Sequence, residues 1–137
     1  MTQHRIHFSE LLDVGRPDNV GRAFAIYKAL MAENAGEDPP AETFQLSVSP
    51  EYGATRLWLY DAGGGDPQLV ITFVTRCARA LGLTGAWSMQ WAGVASRPVV
   101  DGFSGGAHIL DLASGQTIAW MSTGRWLADL SPAGGAR

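Results

Sequence analysis

The 137-residue chain has a single cysteine, Cys77, and no long run of apolar residues. One cysteine excludes an internal disulfide, and a reducing compartment is the natural setting for such a chain. The N-terminal segment MTQHRIHFSELLD has no apolar core of signal-peptide length. The longest apolar stretch, Leu69–Val74, is interrupted by Thr72 and is far shorter than the roughly 20 residues of a membrane span. We therefore expect a cytoplasmic protein that does not bind membranes.

The signatures of several chemistries are also missing. No G-x-G-x-x-G follows a strand and no Walker sequence occurs, which argues against nucleotide binding by those routes. His4 and His7 are three residues apart, and no group of residues has the close ligand spacing of a zinc site. Cys77 falls on an apolar helical stripe, where burial raises the pKa of a thiol and disfavours nucleophilic chemistry. We expect neither a metal nor a cofactor.

Length and composition predict one domain with its own core. Hydrophobic residues make up 46% of the chain and charged residues 17%, which is typical of a globular protein. A domain of this size buries roughly two-thirds of the surface that its unfolded chain exposes. We expect a single domain over residues 1–130. Residues 131–137 have nothing to bury and are predicted to fray.

Two long helices are predicted. The first opens near Pro17, with Asp18 as its N-cap, and ends near Asn34. The second has stronger signals, because Asp66 supplies a capping carboxylate, proline follows it, and Gly82 supplies a left-handed stop. A last short helix is predicted over 123–130, with Thr123 as its cap.

Residues that alternate with a period of two predict the strands. The main strands are expected at 44–48, 56–60, 87–91, 107–112 and 117–121, with a further short one at 5–8. The stretch between Gly93 and Gly106 is expected to be irregular. The prediction is an α+β fold: a mainly antiparallel sheet of about five strands, with two longer helices and a short C-terminal helix, and not a doubly wound nucleotide fold.

Five tryptophans invite interpretation in so short a chain. Trp87 and Trp91 share one side of a predicted strand, and Ile118 and Trp120 share one side of another. We expect all four side chains to pack in the core.

Charge is unevenly distributed although the net charge is only −3. Residues 33–66 carry seven carboxylates against one arginine, a net charge of −6, whereas residues 67–137 carry five arginines against three carboxylates. Within the acidic stretch, Glu37, Asp38 and Glu42 are candidates for contact with a basic partner. The alternative is a solvated acidic loop.

The strand at 56–60 is apolar on both sides. Arg56, Trp58 and Tyr60 share one face, so either a helix covers each face or these three form an exposed surface. Such a surface suits a protein interface, and aromatic residues with arginine can also stack single-stranded bases. The surrounding acidic residues argue against nucleic acid.

The segment Gly102–Gly106, GFSGG, fits the G-x-S-x-G pattern of serine hydrolases. That motif needs a strand before the serine and a helix after it, but an alternating strand is predicted to follow here. We therefore expect Ser104 to belong to a glycine-rich connector. If the chain is an enzyme, the candidate catalytic residues are His108, Ser104, Asp101 and Arg97.

Parts of the second half resemble a known group of proteins. The matching segments are 73–87, 96–98, 105–112 and 123–127. Over residues 67–128 the chain resembles small uncharacterised proteins of alphaproteobacterial plasmids, prophages and genomic islands. That group has no assigned reaction, so no residue role is transferred. Its members tend to have glycine at the position of Ser104, which further weakens the nucleophile hypothesis.

The resemblance implies, by analogy, an accessory protein of a mobile element that blocks a host defence system. The leading hypothesis is thus a non-enzymatic protein that binds a larger host or phage complex, such as a CRISPR effector or restriction enzyme. A small enzyme based on His108 is the first alternative. A nucleic-acid binder using Arg76, Arg79 and Arg97 is the second, and self-association as a homodimer stays open.

Overall fold

A computed structural model describes residues 3–131, which form an α+β fold of seven strands and three α-helices. The strands are β1 His4–His7, β2 Ser9–Asp13, β3 Phe44–Val48, β4 Arg56–Asp61, β5 Ala86–Ala95, β6 Phe103–Asp111 and β7 Gln116–Ser122. The helices are α1 Asp18–Ala35, α2 Pro67–Leu81 and α3 Thr123–Leu130, with a short 3₁₀ turn at Pro50–Tyr52. The strands form two antiparallel sheets, sheet A in the order β1-β5-β6-β7 and sheet B in the order β2-β4-β3. The tail from residue 132 onward, predicted to fray, lies outside the described residues.

The first extended segment forms one strand in each sheet, and Phe8 lies between the two strands. Before it, β1 pairs with β5; after it, β2 pairs with β4. Phe8 is buried, and a Cβ at Gly65 would come within 2.8 Å of its ring. Ile6, Phe8 and Leu12 all pack in or against one core. One continuous stretch of chain therefore joins both sheets while presenting one set of side chains to the interior.

Asp61, the last residue of β4, holds the backbone at this division. Its Oδ1 accepts a hydrogen bond from the Phe8 N–H at 2.8 Å, and its Oδ2 accepts one from the Gly64 N–H at 3.1 Å. The Nδ1 atom of His7 lies 2.8 Å from the same Oδ2. Burial on its own raises the pKa of Asp61, but the hydrogen bonds from Phe8 and His7 outweigh it, so the pKa lies below its ordinary value. The fold therefore favours the charged carboxylate.

Two side chains close the gap between β2 and β5 beyond the division. Glu10 Oε2 accepts a hydrogen bond from the Gln90 N–H at 2.9 Å, and the indole N–H of Trp87 donates to the Leu11 carbonyl at 2.9 Å. Burial raises the pKa of Glu10, and the Gln90 N–H partly offsets this effect. β1 pairs with β5 only at residues 92–95. The Gln90 N–H and the Leu11 carbonyl lie beyond that pairing, and these two side chains give them hydrogen-bond partners.

Helix α2 has the signals that predicted it. The Asp66 carboxylate accepts a hydrogen bond from the Gln68 N–H at 2.9 Å, Pro67 is the first helical residue, and Gly82 has a left-handed φ of 65°. Its buried stripe comprises Val70, Ile71, Phe73, Val74, Cys77 and Ala78. Next to it, α1 contributes Tyr27, whose ring meets those of Phe44 and Phe73 at centroid distances of 5.2 and 6.0 Å.

Both long helices pack against the same side of the two sheets. The core takes one face of each strand except β7, including Leu57 and Leu59 of β4, Met89 of β5 and Leu110 of β6, together with the helical stripes. In the described part of the chain, no helix covers the opposite faces. This arrangement confirms the predicted α+β class, although seven strands in two sheets replace the single sheet of about five. Among residues 3–131, no helix has the length and hydrophobicity required to span a membrane.

Two of the three predicted N-caps are wrong by one residue. Asp18 is the first residue of α1, and Pro17 occupies the cap position without a side-chain hydrogen bond. Because β7 extends to Ser122, that residue caps α3 in place of Thr123, and its Oγ accepts a hydrogen bond from the Arg125 N–H at 3.3 Å. Strand β2 was not predicted, because adjacent leucines interrupt its alternation.

The predicted core role of Ile118 and Trp120 is also wrong. They are 57% and 54% exposed. Strand β7 is an edge of sheet A, and its pairing with β6 is irregular next to Ile109, where Leu110 pairs with Thr117. Ile118 is thus an extra residue in the ladder. The alternating pattern was real, but no element covers this end of the sheet within the described residues.

We predict that Asp61→Asn destabilises the protein by about 1–3 kcal/mol near neutral pH, because two backbone N–H groups and His7 share its carboxylate. The folded-state pKa is lowered, so this stabilisation is present above the unfolded pKa of about 3.9 and is lost as the pH falls through the folded value. Urea unfolding at neutral and acidic pH measures both effects.

Asp129→Asn is the matched control. Its carboxylate is exposed and lies 3.9 Å from Arg125, so we expect a change within about 0.5 kcal/mol. An Asp61→Asn variant as stable as this control would contradict the role given to Asp61.

Candidate functional site

The G-x-S-x-G segment lies inside a strand. Ser104 belongs to β6 and pairs with Gly93 of β5, and β6 continues to Asp111 without a helix. The sharp strand-to-helix turn that exposes a nucleophilic serine is therefore absent from this segment. The predicted strand after Gly106 is confirmed, but the predicted irregular stretch from Gly93 to Gly106 is wrong, because only residues 96–102 connect β5 to β6.

The glycines of this segment make room for neighbouring side chains. A Cβ at Gly106 would overlap the indole ring of Trp91, and a Cβ at Gly93 would overlap Oγ of Ser104. Each glycine thus lies under a side chain from the adjacent strand. The glycine-rich composition reflects close packing within sheet A and not a flexible connector.

His108 lies on the core-facing side of β6, two residues before the buried Leu110. It is half-buried, and its Nε2 lies 2.9 Å from the Thr117 hydroxyl of β7. Burial lowers the pKa of His108, so the neutral ring predominates near pH 7. The hydrogen-bond partner of His108 is thus a hydroxyl, whereas a catalytic base is commonly oriented by a carboxylate.

The structure does not bring the four candidate catalytic residues together. His108 and Ser104 are four positions apart on an extended strand, a separation of roughly 13 Å. Asp101 and Arg97 are exposed in the connection between β5 and β6. Within residues 3–131, no hydrogen bond or ion pair joins any two of the four, and every buried polar side-chain atom already has a partner. A nucleophile beside its base is not assembled here.

A groove runs between α2 and the β6–β7 side of sheet A, with His108 in its wall. Two adjoining cavities of about 550 and 560 Å³ share Gln68, Ile71, His108 and Thr117. One continues toward Arg79 and the other toward Trp120. We call the combined space the α2 groove. Its volume is typical of a binding cleft.

The three arginines of the nucleic-acid alternative have different surroundings. Arg76 donates two hydrogen bonds to the Glu33 carboxylate, at 2.6 and 2.9 Å. These bonds raise the pKa of Arg76 and lower that of Glu33. Arg79 is exposed on α2, whereas Arg97 lies in the connection between β5 and β6. Since Arg76 is paired with an acid, the three do not make a free basic patch.

Arg56, Trp58 and Tyr60 do share one face of β4. The rings of Trp58 and Tyr60 stack at a centroid distance of 3.9 Å, and Tyr52 approaches Trp58 edge-on at 6.2 Å. Arg56 is exposed, 3.8 Å from the Asp13 carboxylate. No helix of the described chain covers this face, and stacking leaves both rings half-buried.

The predicted acidic residues Glu37, Asp38 and Glu42 are exposed in the connection between α1 and β3. These three acidic residues lie in a connection, whereas Arg56, Trp58 and Tyr60 lie on strand β4. The structure provides no hydrogen-bond partner for their carboxylates among the side chains of residues 3–131.

Sheet A has an uncovered face that the sequence analysis did not identify. Residues on β5 and β6 that alternate with the buried tryptophans point away from both helices. We call this set, Ala92, Val94, Phe103, Ala107 and Ile109, the outer face of sheet A. Phe103 is 84% exposed, and Val94 and Ile109 are 40% and 37% exposed. Extending both strands through the glycines would have revealed it from sequence, because period two continues on each side of them.

Comparisons with family models, curated proteins and solved structures find no match for this chain. The resemblance to mobile-element proteins therefore stays a prediction. Contacts and exposure in the described residues carry the functional argument.

We predict that Gly106→Ala destabilises the protein by about 1–3 kcal/mol, because the added methyl group would overlap the Trp91 ring. The control is Gly124→Ala in α3, where an added Cβ meets nothing within 4 Å. Alanine favours a helix over glycine by about 0.5–1 kcal/mol, so the control should be neutral or stabilising. Thermal unfolding compares the two, and equal effects would contradict the packing argument.

We also predict that Cys77 does not react with iodoacetamide in the native protein. Its side chain is fully buried, and burial raises the pKa of its thiol to about 12. The thiolate fraction near neutral pH is then only about one in 10⁵. A Ser88→Cys variant, exposed on β5, should label readily, and Cys77 should label once urea unfolds the chain. Native labelling of Cys77 as fast as that of the exposed cysteine would refute the prediction.

Proposed function

We propose that this protein is a non-enzymatic binding module that docks onto another protein through the outer face of sheet A. The observation that carries the proposal is the uncovered apolar side of an antiparallel sheet whose other side is packed on helices. Contiguous apolar surface of this kind marks an interaction site in a water-soluble domain.

The chemistry of this face defines the partner that it fits. None of its five members is charged, and Phe103 lies opposite Val94. Arg5 and His7 of β1 and Ser88 and Gln90 of β5 are the polar neighbours on the same side of the sheet. The adjoining connection adds Val99 and Val100, 41% and 101% exposed. A flat partner surface with an apolar centre and a pocket for one aromatic ring complements it, since buried aromatic anchors commonly dominate protein interfaces.

The resemblance to mobile-element proteins supports a more specific form of the proposal. In that form the partner belongs to a larger host or phage complex, and the module inhibits a defence complex by covering one of its surfaces. The stacked Trp58–Tyr60 pair with Arg56 forms a second, partly exposed contact surface on the same side of the molecule as the uncovered strand faces.

The experiment compares wild type with Phe103→Asp/Ile109→Asp and with Ala29→Asp, an exposed control on α1. Purified CRISPR effector and restriction complexes are assayed for DNA cleavage and for binding. We expect inhibition by wild type and the control, and binding that is weaker by at least about tenfold for the double variant, the effect of losing one interface anchor.

Two results would count against the proposal in different ways. Equal binding by the double variant and wild type would remove the outer face of sheet A from the contact. No binding to any defence complex would exclude that partner class. A lysate protein retained by wild type and the control but lost by the double variant would then preserve the role of the face.

A further inference from the structure

The C-terminal part of the described chain exposes an unusual amount of apolar side chain. Six residues on β7 and α3 are 38–65% exposed: Ile118, Trp120, Met121, Trp126, Leu127 and Leu130. We call them the C-terminal apolar patch. They lie at the edge of sheet A, and none is among the five residues of the outer face, although Met121 pairs with Ala107 of that face.

Helix α3 turns its charged side toward its own sheet. The Arg125 guanidinium lies 5.7 Å from the ring centroid of Trp120, and Arg125 and Asp129 are within 3.9 Å of each other. Trp126, Leu127 and Leu130 occupy the other side and are exposed. An amphipathic helix normally buries its apolar stripe, but the stripe of α3 stays exposed within the described residues.

Strand β7 provides an open edge beside that helix. It pairs with β6 on one side, and in residues 3–131 no strand pairs with its other side. Six of its seven residues are exposed. An unpaired strand edge is a template for another strand.

The α2 groove is a cleft of mixed polar and apolar lining next to β7, and no residue of α3 lines it. Its wall includes Ile71 and Leu110 on one side and Trp120 near β7. The chain thus has an unfilled groove and a helix whose apolar stripe is uncovered. In its own chain α3 places Arg125 over Trp120 and does not enter the groove.

We propose that the occupant is a second copy of this chain, joined by a two-fold axis at β7. Antiparallel β7 strands pair around Ala119, the middle residue of Gln116–Ser122. Ser122 of one copy then lies opposite Gln116 of the partner subunit. Helix α3 starts at the next residue, opposite Gly115 of the partner subunit, and enters that subunit's α2 groove with its apolar side.

The two-fold arrangement is self-complementary. One interface pairs the open edges of both β7 strands and buries the apolar stripes of both α3 helices, as in a closed two-fold dimer. A standard interface buries about 800 Å² per partner. The two half-exposed tryptophans contribute roughly 250 Å² of this per copy, and the other four patch residues and the β7 backbone supply much of the rest.

Sedimentation equilibrium tests the stoichiometry. The chain has a mass of 14.6 kDa, so at concentrations above micromolar the wild type should sediment at twice that mass. Trp126→Glu/Leu130→Glu should sediment as a monomer with an unchanged circular dichroism spectrum, since both side chains are exposed. Val100→Glu, an exposed apolar control outside the patch, should stay dimeric.

A cross-link tests the position of the axis with the patch intact. Under mild oxidation Ala119→Cys should form a disulfide-linked dimer, because residues facing each other across the axis are within disulfide range. Ser88→Cys, exposed on β5, should not, and the buried Cys77 does not interfere.

A monomeric wild type, or a dimer that tolerates the double glutamate substitution, would overturn the proposal. So would an Ala119→Cys variant that cross-links no faster than Ser88→Cys. A patch that instead binds a different protein would be seen as monomeric wild type together with lost binding in the glutamate variant, and it also counts against the dimer. The outer-face variants leave the patch intact, so this inference and the proposed function fail independently.

Discussion

The Asp61 carboxylate is the contact on which the architecture depends. It binds the backbone at Phe8, where one extended segment leaves sheet A and enters sheet B. Because that segment keeps Phe8 and Leu12 on the same side, both sheets face a common core, and two helices suffice to cover it. The opposite faces are left to water or to a partner. The hydrogen bonds of Asp61 thus stabilise the point at which the two sheets meet over this core.

The fold class and helix α2 follow directly from the sequence. Asp66, Pro67 and Gly82 are local signals that act through backbone geometry, so no tertiary information is needed to recognise them. The division at Phe8 could not be predicted in this way. It depends on Asp61, 53 positions away, and on Glu10 and its contact with β5, none of which leaves a periodic trace. Pairing between distant strands is a tertiary property.

The candidate site was predicted less well, and the glycines explain why. Gly93 and Gly106 interrupt the alternation because side chains from the neighbouring strand lie over them, so the segment was assigned to a connector and the outer face of sheet A went unnoticed. The placement of His108 beside Leu110 was predictable, because the alternation there is unbroken. The exposure of Trp120 was not predictable, since alternation marks a face of a strand without showing whether another element covers it.

The positions of the strands along the chain also determine the order in which they can pair during synthesis. All of sheet B lies within the first 61 residues, so it can assemble while the remainder is still being made. Strand β1 pairs with β5 at Ala95, which follows His4 by 91 positions. Long-range closure of this kind is slow, and domains form progressively as the chain leaves the ribosome. Strand β1 thus stays unpaired until β5 has been made, and Phe8 connects it to sheet B until then.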